Sequence, residues 1–525
     1  MLLVMFPSHT EVSIPWLFMG TQLSIDHTAL NLLAPTILIW AIGYIYGKYF
    51  YQTQKLTRRF WIFFSLSLSG NLGLFVVADM FSFYLAYALM SFATLGLIVF
   101  KGGEFHRRAG RIYISLLILG ELLIFSAFIL IYDQIGSITF SEFTSFSWQA
   151  NIEILFIIGF GIKLGMIPFH FGLPLSYCAA PLPACIVMGG AMINAGVLGG
   201  LRFLQLGITE NDWVGILAIC FGVCAIFYAI IIGLKQENCK TILGYSSVSQ
   251  MGTIIALFGV ALIKPEYGDE IAFGIIVYAI HHGLVKGLLF LAIDSVKGWL
   301  DQLSFRILFG IAALSLAGAP LTSGMAAKIA VKQSLESFPI LIFILGVGAI
   351  GTTLIIFHFI RTLWKVQMTV KVDQRKSGLF ALWFGLWLVT LIFPWTWQRT
   401  QAIMLQGWDA AIWFSLCWPI ITGCCIAYYA IKINPGFTLL NKPIPAGDII
   451  VSIEKLSLAA KNSLNLTIEN RLEIIRQVSE IFIKFLNMPN TFQKIASFER
   501  LFEHWYIVGV CFLATLLIFF SLYNF

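Results

Sequence analysis

Charge is what this chain lacks most. Aspartate, glutamate, lysine and arginine together make up 11% of its 525 residues, while 59% are hydrophobic. A soluble chain carries about 25% charged residues, so a soluble globular fold is excluded. Ordered cysteine is also missing. Nine cysteines are scattered without a CxxC or a Cys/His cluster. Cys220 and Cys224 alone, at i,i+4, offer too few ligands for a zinc or iron–sulfur site. They read as small packing residues. No basic stretch precedes Met1–Phe6 and no small-residue cleavage site follows, so no cleaved signal peptide is expected. No nucleotide-binding loop, flavin motif or metal constellation occurs, so the sequence implies no cofactor and no catalytic chemistry of its own.

What is present is a succession of apolar runs, from 29–47 to 505–522. A span needs roughly 20 apolar residues, and the runs predict an all-α polytopic membrane protein of about 13 to 14 transmembrane helices. The net charge of +7 comes from loops and gives no reason to expect nucleic acid. Lys48, Lys55, Arg58 and Arg59 follow the first run, and Lys101, Arg107, Arg108 and Arg111 follow the third; 133–151 has no lysine or arginine. That alternation puts the basic loops in the cytoplasm and the N-terminus outside.

Two runs are broken. Proline ends a helix because it lacks the N–H, and prolines interrupt the chain from Pro168 through Pro174 to Pro181 and Pro183. A second break lies at Ala317-Gly318-Ala319-Pro320, with Ser323-Gly324 just after. Non-helical backbone at membrane depth survives only under cover of protein or water. Paired breaks in two halves of a transporter point to its ion site. On this basis 1–59 is an N-terminal segment with the first span, and 60–234 and 241–393 are two inverted five-helix repeats. Residues 394–433 add a span, 434–500 form an amphipathic surface segment, and 501–525 form a C-terminal anchor. Within 434–500, Ile453, Leu456, Ala460 and Leu464 recur at helical spacing, as do Leu472, Ile475, Val478, Ile481 and Phe485. This segment is either a solvated linker or a partner-docking arm.

Each break has a lysine beside it: Lys163 before the first and Lys328 after the second. A lysine in hydrocarbon is costly unless it meets water or a partner. Lys163 lies too deep in its run for snorkelling to be easy, which favours a proton-carrying amine. His282 and Lys286, at i,i+4, share a helix face and form a plausible relay; the alternative is a satisfied core histidine and a lysine bonded to carbonyls. Lys328 and Lys332 are again i,i+4, Lys328 being nearer the break. Lys240 opens a helix, where the dipole disfavours a cation, and reads equally as functional or as a loop charge. Ser246, Ser247, Ser249 and Gln250 could hold water or simply join helices. Glu121, Asp79 and Asp294 are the acids that could tune these amines.

These runs resemble the antiporter-like membrane subunits of respiratory complex I, Mrp cation/proton antiporters and membrane-bound hydrogenases. GIKLGMIPFHFGLPLSYCAAPLPA, KTILGYSSVSQMG, HHGLVKGLLF and AGAPLTSGMAAK stand in the family's order, and the resemblance covers roughly 60–364. It implies a proton path through Lys163, Lys240, His282, Lys286 and Lys328. It also implies other membrane subunits, a soluble energising subunit, and H⁺ or Na⁺ as the ion. The chain would then be part of an NADH:quinone oxidoreductase-like or hydrogenase-like translocase in a bacterial inner membrane. One departure stands out. The family's glutamate, understood to pair with the lysine matching Lys163, is Ala88 here; Glu121 could substitute. That change, and the little apolar sequence before residue 29, resemble a specialised relative such as the membrane subunit of a two-component inorganic-carbon accumulation system. A docking subunit with a degenerate path is the other reading.

Overall fold

The computed structural model describes residues 11–17, 20–51, 56–295, 303–368, 377–406 and 409–433, with Pro445 and Gly447 isolated beyond them. The expected amphipathic segment at 434–500 and the anchor at 501–525 therefore fall outside the described residues, apart from those two positions. The helices are α1 (His27–Ile45), α2 (Arg58–Val76), α3 (Met80–Ile98), α4 (Gly103–Ile135), α5 (Ala150–Leu164), α6 (Gly172–Ala179), α7 (Leu182–Val187), α8 (Asn194–Phe203) and α9 (Asp212–Gly233). They continue as α10 (Cys239–Ile263), α11 (Gly268–Ser295), α12 (Leu303–Leu314), α13 (Ser323–Gln333), α14 (Pro339–Met368), α15 (Ser377–Thr396), α16 (Gln398–Gln406) and α17 (Ala410–Ile433).

Among the described residues, 12 helical stretches are long and apolar enough to cross a membrane, and Leu303–Ala317 is a shorter apolar helix. The protein is an integral membrane protein of helical architecture. Its spans fall into two classes. Leu182–Phe203, Cys239–Ile263 and Pro265–Asp294 are 94%, 94% and 100% buried by other parts of the protein, whereas Ala410–Ala430 is 22% buried. The first class forms a core shielded from lipid, the setting in which polar side chains at membrane depth are tolerated. Small residues bring the core helices close. A Cβ on Gly252 of α10 would lie 2.6 Å from the carbonyl oxygen of Gly222 on α9, so only glycine lets these backbones meet. One small element departs from the helical pattern. Strands β1 (Val12–Ile14) and β2 (Thr21–Leu23) pair antiparallel, and Leu23 bridges to Val77. Strands this short leave little periodic signal in sequence.

Two features of the fold bear on the expected repeats. First, six stretches long and apolar enough to cross a membrane lie within about 60–234, Ala150–Ala179 and Leu182–Phe203 being separate ones. Secondly, the first break is not one irregular stretch. α5 stops at Gly165, whose φ of +82° suits glycine. Pro174 sits inside the first turn of α6, where its missing N–H costs nothing, and the chain is interrupted again at Ala180-Pro181.

The ends are tied down locally. Asp26 caps α1, its side chain accepting from Ala29 N at 2.5 Å. Buried Arg202 of α8 donates to Asp26 Oδ2 at 2.9 Å and to the Leu74 carbonyl at 2.7 Å, so one side chain joins α8 to the ends of α1 and α2.

Candidate functional site

Lys163 lies in the last turn of α5, one residue before Leu164 closes the helix. Its Nζ donates to Ser91 Oγ on α3 at 3.3 Å and lies 5.8 Å from the centre of the Tyr87 ring. A cavity of about 70 Å³ opens beside it, lined by Tyr87, Glu121, Lys163, Ser176 and Tyr177. A water needs roughly 10–15 Å³ of such space, so several would fit. Glu121 of α4 is 4% exposed, and its Oε1 has no hydrogen-bond partner. It is near enough to Lys163 for the two charges to interact.

The second cluster is on α11. Lys286 is fully buried, and its Nζ donates to the Leu243 carbonyl of α10 at 2.8 Å. The same carbonyl accepts from Ser247 Oγ at 3.1 Å. Ser247 also reaches the hydroxyl of Tyr177, which lines the Lys163 cavity. A turn before Lys286, His282 is fully buried and neither ring nitrogen has a hydrogen-bond partner. A buried imidazole without partners is costly unless its site exchanges protons or water.

The third cluster follows the second break. Lys328 Nζ is 3.5 Å from Tyr278 Oη and 5.3 Å from the ring centre. The Tyr278 hydroxyl donates to Gln250 Oε1 on α10, and Gln250 Nε2 donates to Thr352 Oγ1 on α14 at 2.9 Å. His281 connects this cluster with α13, its Nδ1 lying 2.9 Å from Ser323 Oγ. A cavity of about 30 Å³ is lined by Thr253, Tyr278, Lys328, Lys332 and Ser415. Lys332 is half-buried and donates to the Ser415 carbonyl at 2.9 Å.

Lys240 is a different case. Its ammonium donates to the carbonyls of Cys178 and Ala180 at 2.6 and 2.7 Å. Those carbonyls end α6, where a cation is favoured by the dipole and satisfies orphan acceptors. The side chain thus holds the broken helix, although its own position at the start of α10 looks unfavourable in sequence. The acids divide as well. Asp79 caps α3: Oδ1 accepts from Ser82 N at 2.7 Å and Oδ2 from Gln22 N at 3.0 Å. With both oxygens bonded to backbone amides, its geometry is that of a helix cap. Asp294, near the end of α11, accepts from Tyr46 Oη at 3.1 Å.

Sequence reasoning passed over several residues. Tyr278, Tyr177 and His281 supply the links between clusters, but aromatic and histidine side chains on apolar helices carry no signal of their partners. Glu153, in the first turn of α5, is fully buried, with the Asn211 side chain as its polar neighbour. Its place in an apolar run was the available clue. Among the described residues no group of three histidine, cysteine, aspartate or glutamate side chains gathers as a metal site would require.

The family described as NADH:quinone oxidoreductase/Mrp antiporter, TM, matches residues 77–354. "Hydrogenase-4 component B" of Escherichia coli is 28% identical over 246 residues, 45% of this chain and 37% of that protein. A Na(+)/H(+) antiporter subunit of Alkalihalophilus pseudofirmus is 25% identical over 374 residues, 66% of this chain and 75% of its own length. The chain therefore spans little more than a third of the first relative and three quarters of the second. Among solved structures, the Mrp complex from Dietzia sp. superposes with a TM-score of 0.72 at 17% identity, covering 93% of this chain and 59% of that one. At that identity the likeness establishes the fold.

Proposed function

The chain belongs to the NADH:quinone oxidoreductase/Mrp antiporter transmembrane family, and from that premise we propose that it conducts protons, or Na⁺, as one membrane subunit of a larger complex. The observation that carries this reading is the succession of buried polar contacts across four helices. It runs from Lys163 and its cavity through Tyr177, Ser247 and the Leu243 carbonyl to Lys286. From there His282 and His281 lead towards Tyr278 and Lys328. Buried amines and imidazoles at membrane depth are functional by default, because bilayer insertion selects against them.

In this reading Lys163, His282, Lys286 and Lys328 exchange protons, and water in the two cavities joins them. Glu121 takes the place of the glutamate missing at Ala88, approaching Lys163 from α4 instead of α3. Lys240 keeps the α6 carbonyl end closed. The inverted sets give each half-channel its own broken helix. The sequence carries no nucleotide-binding loop, so partner subunits, including a soluble one, drive the ion. The membrane is a bacterial inner membrane with the N-terminus outside, as the basic loops argue.

A second reading, a docking subunit whose path has decayed, is favoured by Ala88 alone. Lys163→Met in the assembled complex separates the two. Loss of partner-dependent proton movement with assembly intact is expected; unchanged movement would establish the docking role.

A further inference from the structure

We infer that the groove between α1 and α2 seats one acyl chain of an anionic phospholipid, with the lipid phosphate held at Lys48. This site is independent of the proton path. The groove has a volume of about 620 Å³, within the roughly 300–1,000 Å³ of small-molecule sites. On one side it is walled by Ile37, Ala41 and Tyr44 of α1 and by Lys48 just beyond its end, a single stripe at near-helical spacing. The facing stripe on α2 is Trp61, Ser65, Leu68 and Leu72. Each stripe runs 11 positions, about 16 Å at 1.5 Å per residue. That is the depth of one leaflet, half of a hydrocarbon core of about 30 Å.

One end of this apolar slot carries a positioned cation. Lys48 Nζ donates to Tyr44 Oη at 3.0 Å and lies 5.3 and 5.2 Å from the centres of the Tyr44 and Tyr49 rings. The chain there forms a π-turn, Tyr46–Phe50. Trp61, in the first turn of α2, packs edge-on against Tyr44 at 5.3 Å. That contact brings the start of α2 beside Lys48. Its cap residue Thr57 makes no side-chain bond to the helix, and the start of a helix favours an anion. Arg58 and Arg59 begin the helix and are exposed. An apolar slot one leaflet deep, ending in an ammonium and an uncapped helix start, matches a lipid tail and its phosphate.

The lining also argues against a partner helix as the occupant. Helix–helix contacts in membranes favour small residues, whereas Trp40, Tyr44, Trp61 and Phe64 dominate these walls.

The test is titration of the full-length chain in detergent with phosphatidylglycerol and with phosphatidylcholine, read by native mass spectrometry. Phosphatidylglycerol should bind the more tightly. Lys48→Glu should weaken it about tenfold, the effect of reversing one interfacial charge, and leave phosphatidylcholine unchanged. Ala41→Trp, which fills the slot from an exposed position, should weaken both lipids; Ser65→Trp serves if that variant does not fold. Equal binding of the two lipids, or no response to Lys48→Glu, would overturn the assignment. So would cross-linking of Ala41→Cys to a partner subunit in the assembled complex.

Discussion

The two broken helices solve one problem in different ways. At the first, Lys163 precedes the break and shares a cavity with a carboxylate, Glu121. At the second, Lys328 follows the break and meets the Tyr278 hydroxyl and, behind it, the Gln250 amide and the Thr352 hydroxyl, with no carboxylate but a second ammonium, Lys332, in its cavity. Both lysines are half-buried among polar neighbours, yet one has an opposite charge near it and the other has dipoles and a like charge. Opposite charge stabilises an ammonium at close range, while a hydrogen-bonded dipole orients the amine and does less to hold its proton. The first site should therefore respond to changes in charge and the second to changes in hydrogen bonding.

The largest effect is expected where the two sites meet. His282→Ala or Lys286→Met removes a group between them and should lower partner-dependent proton flux about a hundredfold, the lower range for losing a positioned proton carrier. Flux into vesicles checks it, with subunit assembly as the control. Next, Gln250→Leu leaves the Tyr278 and Thr352 hydroxyls without their amide. It should destabilise the protein by about 1–3 kcal/mol. It should also impair flux more than Gln250→Glu does, since a carboxylate can still accept from Tyr278; thermal unfolding and flux measured on both variants test this. At the first site, Glu121→Gln removes the carboxylate near Lys163 and should shift the pH profile of flux, whereas the same profile should ignore Gln250→Leu. An identical response to both substitutions would erase the distinction between the sites. The smallest effect belongs to Asp79→Ala, which deletes the α3 cap and should cost about 1 kcal/mol of stability without moving the pH profile.

Much of this arrangement was legible in the sequence. Charge is so scarce that each amine inside an apolar run stands out, and proline marks the breaks because it cannot donate to a helix. Lys163, Lys286, His282 and Lys328 were found in that way. The partners were not legible, since they come from distant helices. Nothing near Lys240 announces that it will reach back 62 and 60 residues to the end of α6. Nor does anything beside Asp79 announce its two backbone donors, one of them 57 residues away. Prolines mark interruptions, but whether a chain continues across the bilayer or turns back depends on packing. The Glu121–Lys163 proximity was suggested by burial of an acid in LILGELLIF and needed the fold to bring α4 against α5.

Proton conduction as proposed requires the two lysine sites to belong to one continuous path. Partner-dependent proton flux should be measured for Lys163→Met, for Lys328→Met and for the double variant in the same assembled complex. A single path predicts that each change alone abolishes most flux and that the double variant is no worse than the more severe single one. Losses that multiply, or full flux in either single variant, would contradict it.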